Sequence, residues 1–408
     1  MKRRTDGCNP GMGQALCWLT LVFLATALWS ADEGALNDDL REKIRKRVAA
    51  QGFERVEEEL QLALEADGPG RETLESLAHF HMMGKRADRV VLLANRIPDD
   101  AEGLALRLAS ILARGGFRQQ ADELLGLFLS RRRGFSWKLT AYRATLFNQA
   151  GRHDRAIALL KDTPRAFANE PRRHYLMGIA YQGLGQPTTA LAYIRTALEV
   201  ESHPDYIFTQ GLLLLSLDRP DQADQVFRQG RQRFPQSAQL CFGHARVHSA
   251  VGDFYRAKSL LKRAVELEPG HGKAHTFLAR MFYLVGDWDS FPSAIRKAIE
   301  LEPGYYLACY YYGQLLLMDA GDGHQEKALE FFRRSVGSNR NFTAGYIASG
   351  QIMADRGSWK EALDYYRQAA ETGSQGHRVY YLMAQAYRAL GQLEEAERSL
   401  KKTGLVSP

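Results

Sequence analysis

Two pairs of histidines have the spacing with which a helix can hold a metal ion. His244 and His248 are four residues apart, and so are His271 and His275. Residues at this spacing lie on one face of a helix, so each pair could supply two of the ligands that zinc needs. Because the segment around the first pair lacks the glutamate of the H-E-x-x-H motif of zinc proteases, we expect buried core histidines. A metal-binding or enzymatic protein is the less favoured alternative.

Other motifs of catalysis do not occur in the 408 residues, which contain no G-x-S-x-G, no Walker phosphate loop and no Cys-x-x-Cys. The sequence therefore predicts a protein that is not an enzyme and needs no cofactor. Hydrophobic residues make up 45% and charged residues 25% of the chain, which is typical of folded proteins. The net charge of +7 favours acidic partners, but it is too widely spread to predict nucleic-acid binding.

Small side chains recur at a fixed interval along the segments that contain the two histidine pairs. One ladder of them comprises Ala144, Gly178, Gly211, Ala245, Ala279, Gly313, Gly350 and Ala384. The successive gaps, by subtraction, are 34, 33, 34, 34, 34, 37 and 34 residues. A fixed period of about 20 to 50 residues is the signature of stacked supersecondary units. Small side chains let two helix backbones approach closely, so the ladder predicts a helix crossing in every unit.

The recurring unit resembles the tetratricopeptide repeat. In the unit that opens at Pro171, the matches to that family's pattern are Gly178, Tyr181, Ala190 and Ala197. Ile194 and Ser202 stand where the family pattern has an aromatic residue and a proline. The resemblance extends from about Ser136 to Thr403 and continues more weakly back to about Asp38.

This resemblance implies an all-α fold: a right-handed superhelical α-solenoid of stacked helix-turn-helix repeats, with about eleven helix pairs, the first two irregular. We expect degenerate repeats in residues 35–135 and regular repeats in residues 136–408. Cys241 and Cys309 occupy equivalent positions in units that are two apart. Helices pack about 8–10 Å from their neighbours, so these thiols are predicted to be half-buried and beyond disulfide reach.

Residues 1–31 are predicted to be a signal peptide or an N-terminal membrane anchor. Lys2, Arg3 and Arg4 form a basic head, and a long uncharged stretch runs from Gly7 to Ala31. The sequence 25–27, Ala-Thr-Ala, offers a small-x-small cleavage site. If it is retained, the uncharged stretch is long enough to cross a bilayer, which takes about 20 residues. Both alternatives predict an exported chain, either periplasmic or anchored to the inner membrane with its repeats facing the periplasm.

In the tetratricopeptide repeat family the first helix of each unit lines a concave groove, and the resemblance implies a partner-binding surface at the same positions. The residues carried over to this surface are Arg172, Tyr175, Phe208, Phe242, Arg246, Lys273, Arg280, Tyr283, Tyr310, Gln314, Arg378, Tyr381 and Arg388. Aromatic residues and arginine are enriched in binding hot spots. A wall that is merely solvated is the alternative interpretation of the same residues.

We therefore predict a non-catalytic scaffold of the bacterial cell envelope that binds an acidic protein or peptide in this groove. The strongest grouping of basic and aromatic candidates lies between Ala238 and Phe342. An alternative role is that of a subunit in a machine for the secretion or assembly of polysaccharide or protein. Contact with a membrane is expected only through the N-terminal segment.

Overall fold

Each repeat of the chain folds as two helices separated by a tight turn, and the residues at the turn explain why the first helix ends there. At Gly252 the backbone has φ 82°, a left-handed conformation that glycine adopts without steric cost. Asp218 occupies the equivalent turn position of the preceding repeat and has φ 56°, a conformation that aspartate tolerates better than most residues. The periodic glycines of the sequence therefore mark real helix ends.

The computed structural model describes residues 31–66, 68–319, 323–373 and 376–403. These residues contain 22 α-helices, which is eleven pairs, and they contain no β-strand. The prediction of an all-α repeat solenoid with about eleven helix pairs is confirmed. The predicted signal or anchor segment lies outside the described residues except for Ala31. Within the described residues, no helix combines the length and the apolar character that crossing a membrane requires.

The structure divides into two compact units, one ending at Leu213 and the other beginning at Leu214. The described helices of the N-terminal unit are α1 (Ala31–Gln51), α2 (Phe53–Ala66), α3 (Arg71–Met83), α4 (Ala87–Leu92), α5 (Glu102–Arg114), α6 (Arg118–Arg131), α7 (Trp137–Gln149), α8 (His153–Lys161), α9 (Pro171–Gly183), α10 (Pro187–Val200) and most of α11 (Pro204–Ser216). The first two pairs are irregular, since α1 has 21 residues and α4 has six.

The described helices of the C-terminal unit after α11 are α12 (Pro220–Arg233), α13 (Ala238–Ala250), α14 (Phe254–Leu267), α15 (Gly272–Val285), α16 (Phe291–Leu301), α17 (Tyr306–Met318), α18 (His324–Ser338), α19 (Thr343–Asp355), α20 (Trp359–Glu371), α21 (Gly376–Ala389) and α22 (Leu393–Lys402). Each second helix from α14 to α20 packs against the first helix of its own pair and against the first helix of the next pair. Neighbouring pairs therefore share one core.

The small-residue ladder lies where the two helices of a pair cross. A Cβ atom built on Gly178 would lie 2.6 Å from Cδ1 of Ile194, a distance that real contacts do not reach. Ala245 and Ala279 are buried on the same ladder, with exposed fractions of 1% and 0%. Cys241 and Cys309 are free and buried; both are fully rather than half buried, with exposed fractions of 2% and 0%.

Candidate functional site

The first helices α13, α15 and α17 of the C-terminal unit bring basic and tyrosine side chains together. Helices α15 and α17 contact each other directly. Phe242 of α13 packs edge-on against Phe277 of α15, with ring centroids 5.2 Å apart. We call the following side chains the cationic tyrosine patch: Arg246, Lys273, Arg280, Tyr305, Tyr306 and Tyr311.

Arg246 is the most deeply buried cation of the patch. Its exposed fraction is 8%, and its Nη1 has no hydrogen-bond partner among the described residues. A buried donor without a partner carries the full cost of its desolvation, and the cost is larger for a charged group. An incoming anion that accepted this hydrogen bond would remove the cost. Arg246 is therefore a buried donor that the described residues leave unsatisfied.

Lys273 lies beside Arg246 on the next first helix. Burial lowers the pKa of Lys273, and the nearby positive charge of Arg246 acts in the same direction, while Glu302 opposes both. Burial also raises the pKa of Glu302, although its carboxylate accepts a hydrogen bond from the backbone N–H of Lys273. Lys273 Nζ lies 6.0 Å from the ring centroid of Tyr305, within the range of a cation–π contact. Glu302 thus offsets only part of the positive charge of the patch.

The tyrosines hold the cations against an apolar wall and stay neutral at physiological pH. Burial raises the pKa of Tyr306 to about 12, although Arg246 and Arg280 both oppose the shift. Burial likewise raises the pKa of Tyr311, whose hydroxyl is hydrogen-bonded to Arg280. A neutral phenol keeps its proton, so its hydroxyl can donate a hydrogen bond to an anion. The patch thus combines positive charge, neutral hydroxyl groups and aromatic area.

The structure places part of the predicted surface at the exterior of the C-terminal unit. Arg378, Tyr381 and Arg388 of α21 are exposed, with 47% of Tyr381 accessible. The half-buried members are Arg172, Lys273, Arg280, Tyr283, Tyr310 and Gln314. Tyr310 lies close enough to Arg378 for that charge to lower its pKa, against the stronger effect of burial.

Three predicted aromatic anchors are core residues instead. Tyr175, Phe208 and Phe242 have exposed fractions of 3%, 0% and 2%. The reason is the stacking of successive units: Tyr175 packs on Tyr206, in the corresponding first helix of the next pair, with ring centroids 4.8 Å apart. Carried-over positions identify the helix face, but they do not show how far the neighbouring unit covers it. These three rings therefore do not offer contact area to a partner.

The thirteen residues of the predicted partner-binding surface are divided between the two compact units. Arg172, Tyr175 and Phe208 belong to the N-terminal unit, whereas the other ten belong to the C-terminal unit. The carry-over missed Glu302, Tyr305 and Tyr306, which precede or begin α17 and face Arg246 and Lys273. The signal available in the sequence was the run of tyrosines at 305, 306 and 310–312.

A second cluster contains one of the two histidine pairs. Asp224, His244 and His248 bring their ligand atoms within 4.8 Å of one another. His244 has an exposed fraction of 5%, as expected of a core histidine, but Asp224 of the preceding helix was not anticipated. Among the residues that the structure describes, His271 and His275 do not share a third ligand. His271 Nδ1 accepts a hydrogen bond from the backbone N–H of Ala274, and His275 Nε2 lies 3.0 Å from the carbonyl oxygen of Pro269.

Family profiles of one kind match the chain in three places. Two profiles, both described as tetratricopeptide repeat, match residues 175–238 and 242–306 and residues 353–407. The matched segments include the helices that carry the cationic tyrosine patch up to Tyr306. A search of curated protein sequences finds no match to the chain.

Solved structures match the chain at low sequence identity and with TM-scores below 0.5. A tetratricopeptide repeat protein from Parabacteroides merdae is 16% identical, covering 61% of this chain and 97% of its own, with a TM-score of 0.47. The APC/C hetero-tetramer Cut9–Hcn1 is 15% identical over 98% of this chain and 90% of that one, with a TM-score of 0.46. The MamA protein is 19% identical, covering 41% of this chain and 89% of its own, with a TM-score of 0.34.

Proposed function

Because the chain is a tetratricopeptide repeat protein, we propose that it is a non-catalytic scaffold that binds an acidic segment of a partner protein. Repeats of this family generally mediate interactions between proteins. The binding surface in this proposal is the cationic tyrosine patch, extended along the first helices toward Arg378 and Tyr381. The partner's carboxylates meet the basic groups, and its side chains lie against the tyrosine rings.

One observation carries the proposal: the Arg246 guanidinium is buried, and no residue that the structure describes is a hydrogen-bond partner of its Nη1. Guanidinium groups bind carboxylates through two parallel hydrogen bonds, which orient the ligand. Lys273 and Arg280 add charge on the neighbouring first helix, and the half-buried Tyr305 supplies a ring that has few rotors to freeze. A carboxylate at this position would satisfy a buried donor that the protein alone leaves unsatisfied.

Peptides that differ only in charge test the proposal directly. We would titrate the full-length protein with a fluorescent glutamate-rich peptide and with the same peptide carrying Gln in place of every Glu. The glutamate peptide should bind more tightly, and its affinity should fall as salt is added, because exposed charges are screened. Equal affinity for the two peptides would contradict the proposed site.

Variants locate the binding to the patch. Arg280→Glu should weaken binding of the glutamate peptide and flatten its salt dependence, because charge at the rim of an interface mainly sets the association rate. Arg296→Glu is the matched control, since Arg296 is exposed on the second helix α16. If both variants bind like the wild type, the ligand lies elsewhere on the protein.

We also propose that the scaffold works in the cell envelope. The support is the basic head at residues 2–4 and the long uncharged stretch that follows it, features of secretory targeting segments. The chain isolated from its native cell should begin near Leu28 if the segment is cleaved after Ala27. Intact-mass measurement of the envelope fraction checks this, and a full-length chain found in the cytosol would reject export.

A further inference from the structure

A carboxylate and two imidazoles meet between helices α12 and α13. His244 Nε2 lies 2.8 Å from Oδ1 of Asp224, and His248 Nε2 lies 3.3 Å from the same oxygen. His244 and His248 project from one face of α13 because they are four residues apart. Asp224 comes from α12, so the packing of one helix pair on the next assembles the three groups.

The three groups are of the kinds that bind a transition metal, which takes imidazole nitrogen and carboxylate oxygen as ligands. The other oxygen of Asp224, Oδ2, accepts a hydrogen bond from the guanidinium of Arg228, so Oδ1 is the oxygen that faces the two imidazoles.

Asp253 lies on the far side of the His248 ring. Oδ2 of Asp253 is 3.6 Å from Nδ1 of His248, while Nε2 of the same ring is 3.3 Å from Oδ1 of Asp224. Histidines that bind metals usually donate their other N–H to such a group, which fixes the ring and raises its basicity. The side chain of His248 also lines an open depression of about 510 Å³, together with Asp221 and Gln225. Solvent therefore reaches the cluster.

We propose that Asp224, His244 and His248 bind a zinc-like divalent ion, with a fourth coordination position open to solvent. Zinc binds imidazole nitrogen and carboxylate oxygen at about 2.0–2.2 Å in tetrahedral geometry, which separates neighbouring ligand atoms by about 3.3 Å. The observed distance of 3.3 Å between His248 Nε2 and Asp224 Oδ1 matches this value. The distance of 2.8 Å between His244 Nε2 and the same oxygen widens when the ion replaces the proton that the two atoms share. This site lies apart from the cationic tyrosine patch, and it needs no catalytic role.

The contact between Arg231 and His244 opposes metal binding. Nη1 of Arg231 lies 3.2 Å from Nδ1 of His244. Because arginine only donates hydrogen bonds, this nitrogen is unprotonated and Nε2 carries the proton that faces Asp224. A metal ion on Nε2 moves the proton to Nδ1, where it meets the Arg231 donor. Arg231 must therefore turn away when the ion binds, and removal of its charge should strengthen binding.

Metal titration of the full-length protein tests the site. After chelator treatment and dialysis, Zn²⁺ is titrated in competition with a chromophoric chelator, and we expect one ion per chain. Asp224→Asn and His248→Gln should each weaken binding at least tenfold, since each deletes one of three ligands. Arg231→Gln should bind Zn²⁺ more tightly than the wild type. Co²⁺ should give a visible absorption spectrum that both ligand variants lose.

Two controls separate this site from other donors. His275→Gln changes a histidine outside the cluster, and Cys241→Ser removes the thiol on the same helix α13, so both should bind like the wild type. Cooperative thermal unfolding of the metal-free variants shows that they are folded. If the His248→Gln variant is not folded, the Asp224→Asn variant alone tests the site. Absence of saturable binding by the wild type, or wild-type affinity in a folded Asp224→Asn variant, would overturn the proposal. So would a Cys241→Ser variant that loses the ion.

Discussion

Gly313 lies against the ring of Phe332 so closely that a Cβ atom built on it would be 2.5 Å from Cε1 of that ring. The phenylalanine is fully buried, so it cannot move aside into solvent. The same relationship joins Gly350 to Tyr366 in the following pair. A small residue on the first helix and a large ring on the second therefore define the crossing of a pair.

Replacement of Gly313 by leucine should overpack this crossing. We expect the free energy of unfolding to fall by about 1–3 kcal/mol, measured by urea denaturation of the full-length protein. Gly337→Leu is the matched control, because Gly337 is exposed in α18 and a Cβ atom built on it would meet nothing within 4 Å. That change should leave stability unchanged or raise it by up to about 1 kcal/mol, since glycine is a poor helix former. Equal effects at the two positions would show that the crossing is not tightly packed.

Arg246→Met should separate stability from binding. The methionine keeps the apolar stem and removes a buried charge whose Nη1 has no partner in the described part of the chain, so the free energy of unfolding should rise by about 1–3 kcal/mol. Binding of the glutamate-rich peptide should be lost at the same time. Arg296→Met, at an exposed arginine, should change neither quantity. A less stable Arg246→Met variant would mean that the guanidinium already stabilises the free protein.

The sequence predicts helix pairs well because their signals are local. The small-residue ladder marks the crossings, as Gly313 and Gly350 show, and glycine or aspartate at the turn ends the first helix. The contacts between the two helices of one pair join residues that are less than one repeat apart in the sequence. Such contacts can be read from spacing alone, without knowledge of how pairs stack.

The candidate sites depend on stacking between pairs, and there the sequence is less informative. The position of Phe242 predicts its helix face, but its burial follows from Phe277 of the next first helix. The spacing of His244 and His248 is visible in the sequence, whereas their third partner, Asp224, belongs to the preceding pair. Side-chain contacts between pairs depend on helix angles that periodicity does not specify.

Acid should destabilise the protein through His271. Burial lowers the pKa of this histidine to about 4, and the nearby Lys273 and His275 act in the same direction. The folded pKa lies below the ordinary value of 6.5, so the unfolded chain binds more protons between these two values. Stability is therefore complete above about pH 6.5 and falls as the pH drops toward 4. His271 should account for a loss of about 2–3 kcal/mol between about pH 7.5 and pH 4.5.

His271→Asn isolates this contribution. The Nδ1 atom of His271 accepts the backbone N–H of Ala274 at the start of α15, and a protonated ring cannot accept it. Asparagine is a strong N-cap residue that does not titrate in this range, so the variant should keep the helix start. Urea denaturation at the two pH values should show a smaller acid loss than in the wild type. The same loss in both proteins would assign the effect to other groups, such as His244 and His248.

Phe242 and Tyr381 should respond in opposite ways to alanine. Phe242 is 2% exposed and packs on Phe277, so Phe242→Ala should lower the free energy of unfolding by about 3–5 kcal/mol. Tyr381 is 47% exposed on α21, so Tyr381→Ala should change it by no more than about 0.5 kcal/mol. Phe242→Leu retains more of the volume and should cost less than the alanine variant. If Tyr381→Ala weakens binding of the glutamate-rich peptide while the folded Phe242→Leu variant binds normally, the interaction surface extends along exposed α21. A large stability loss at Tyr381 would instead place that ring in the core.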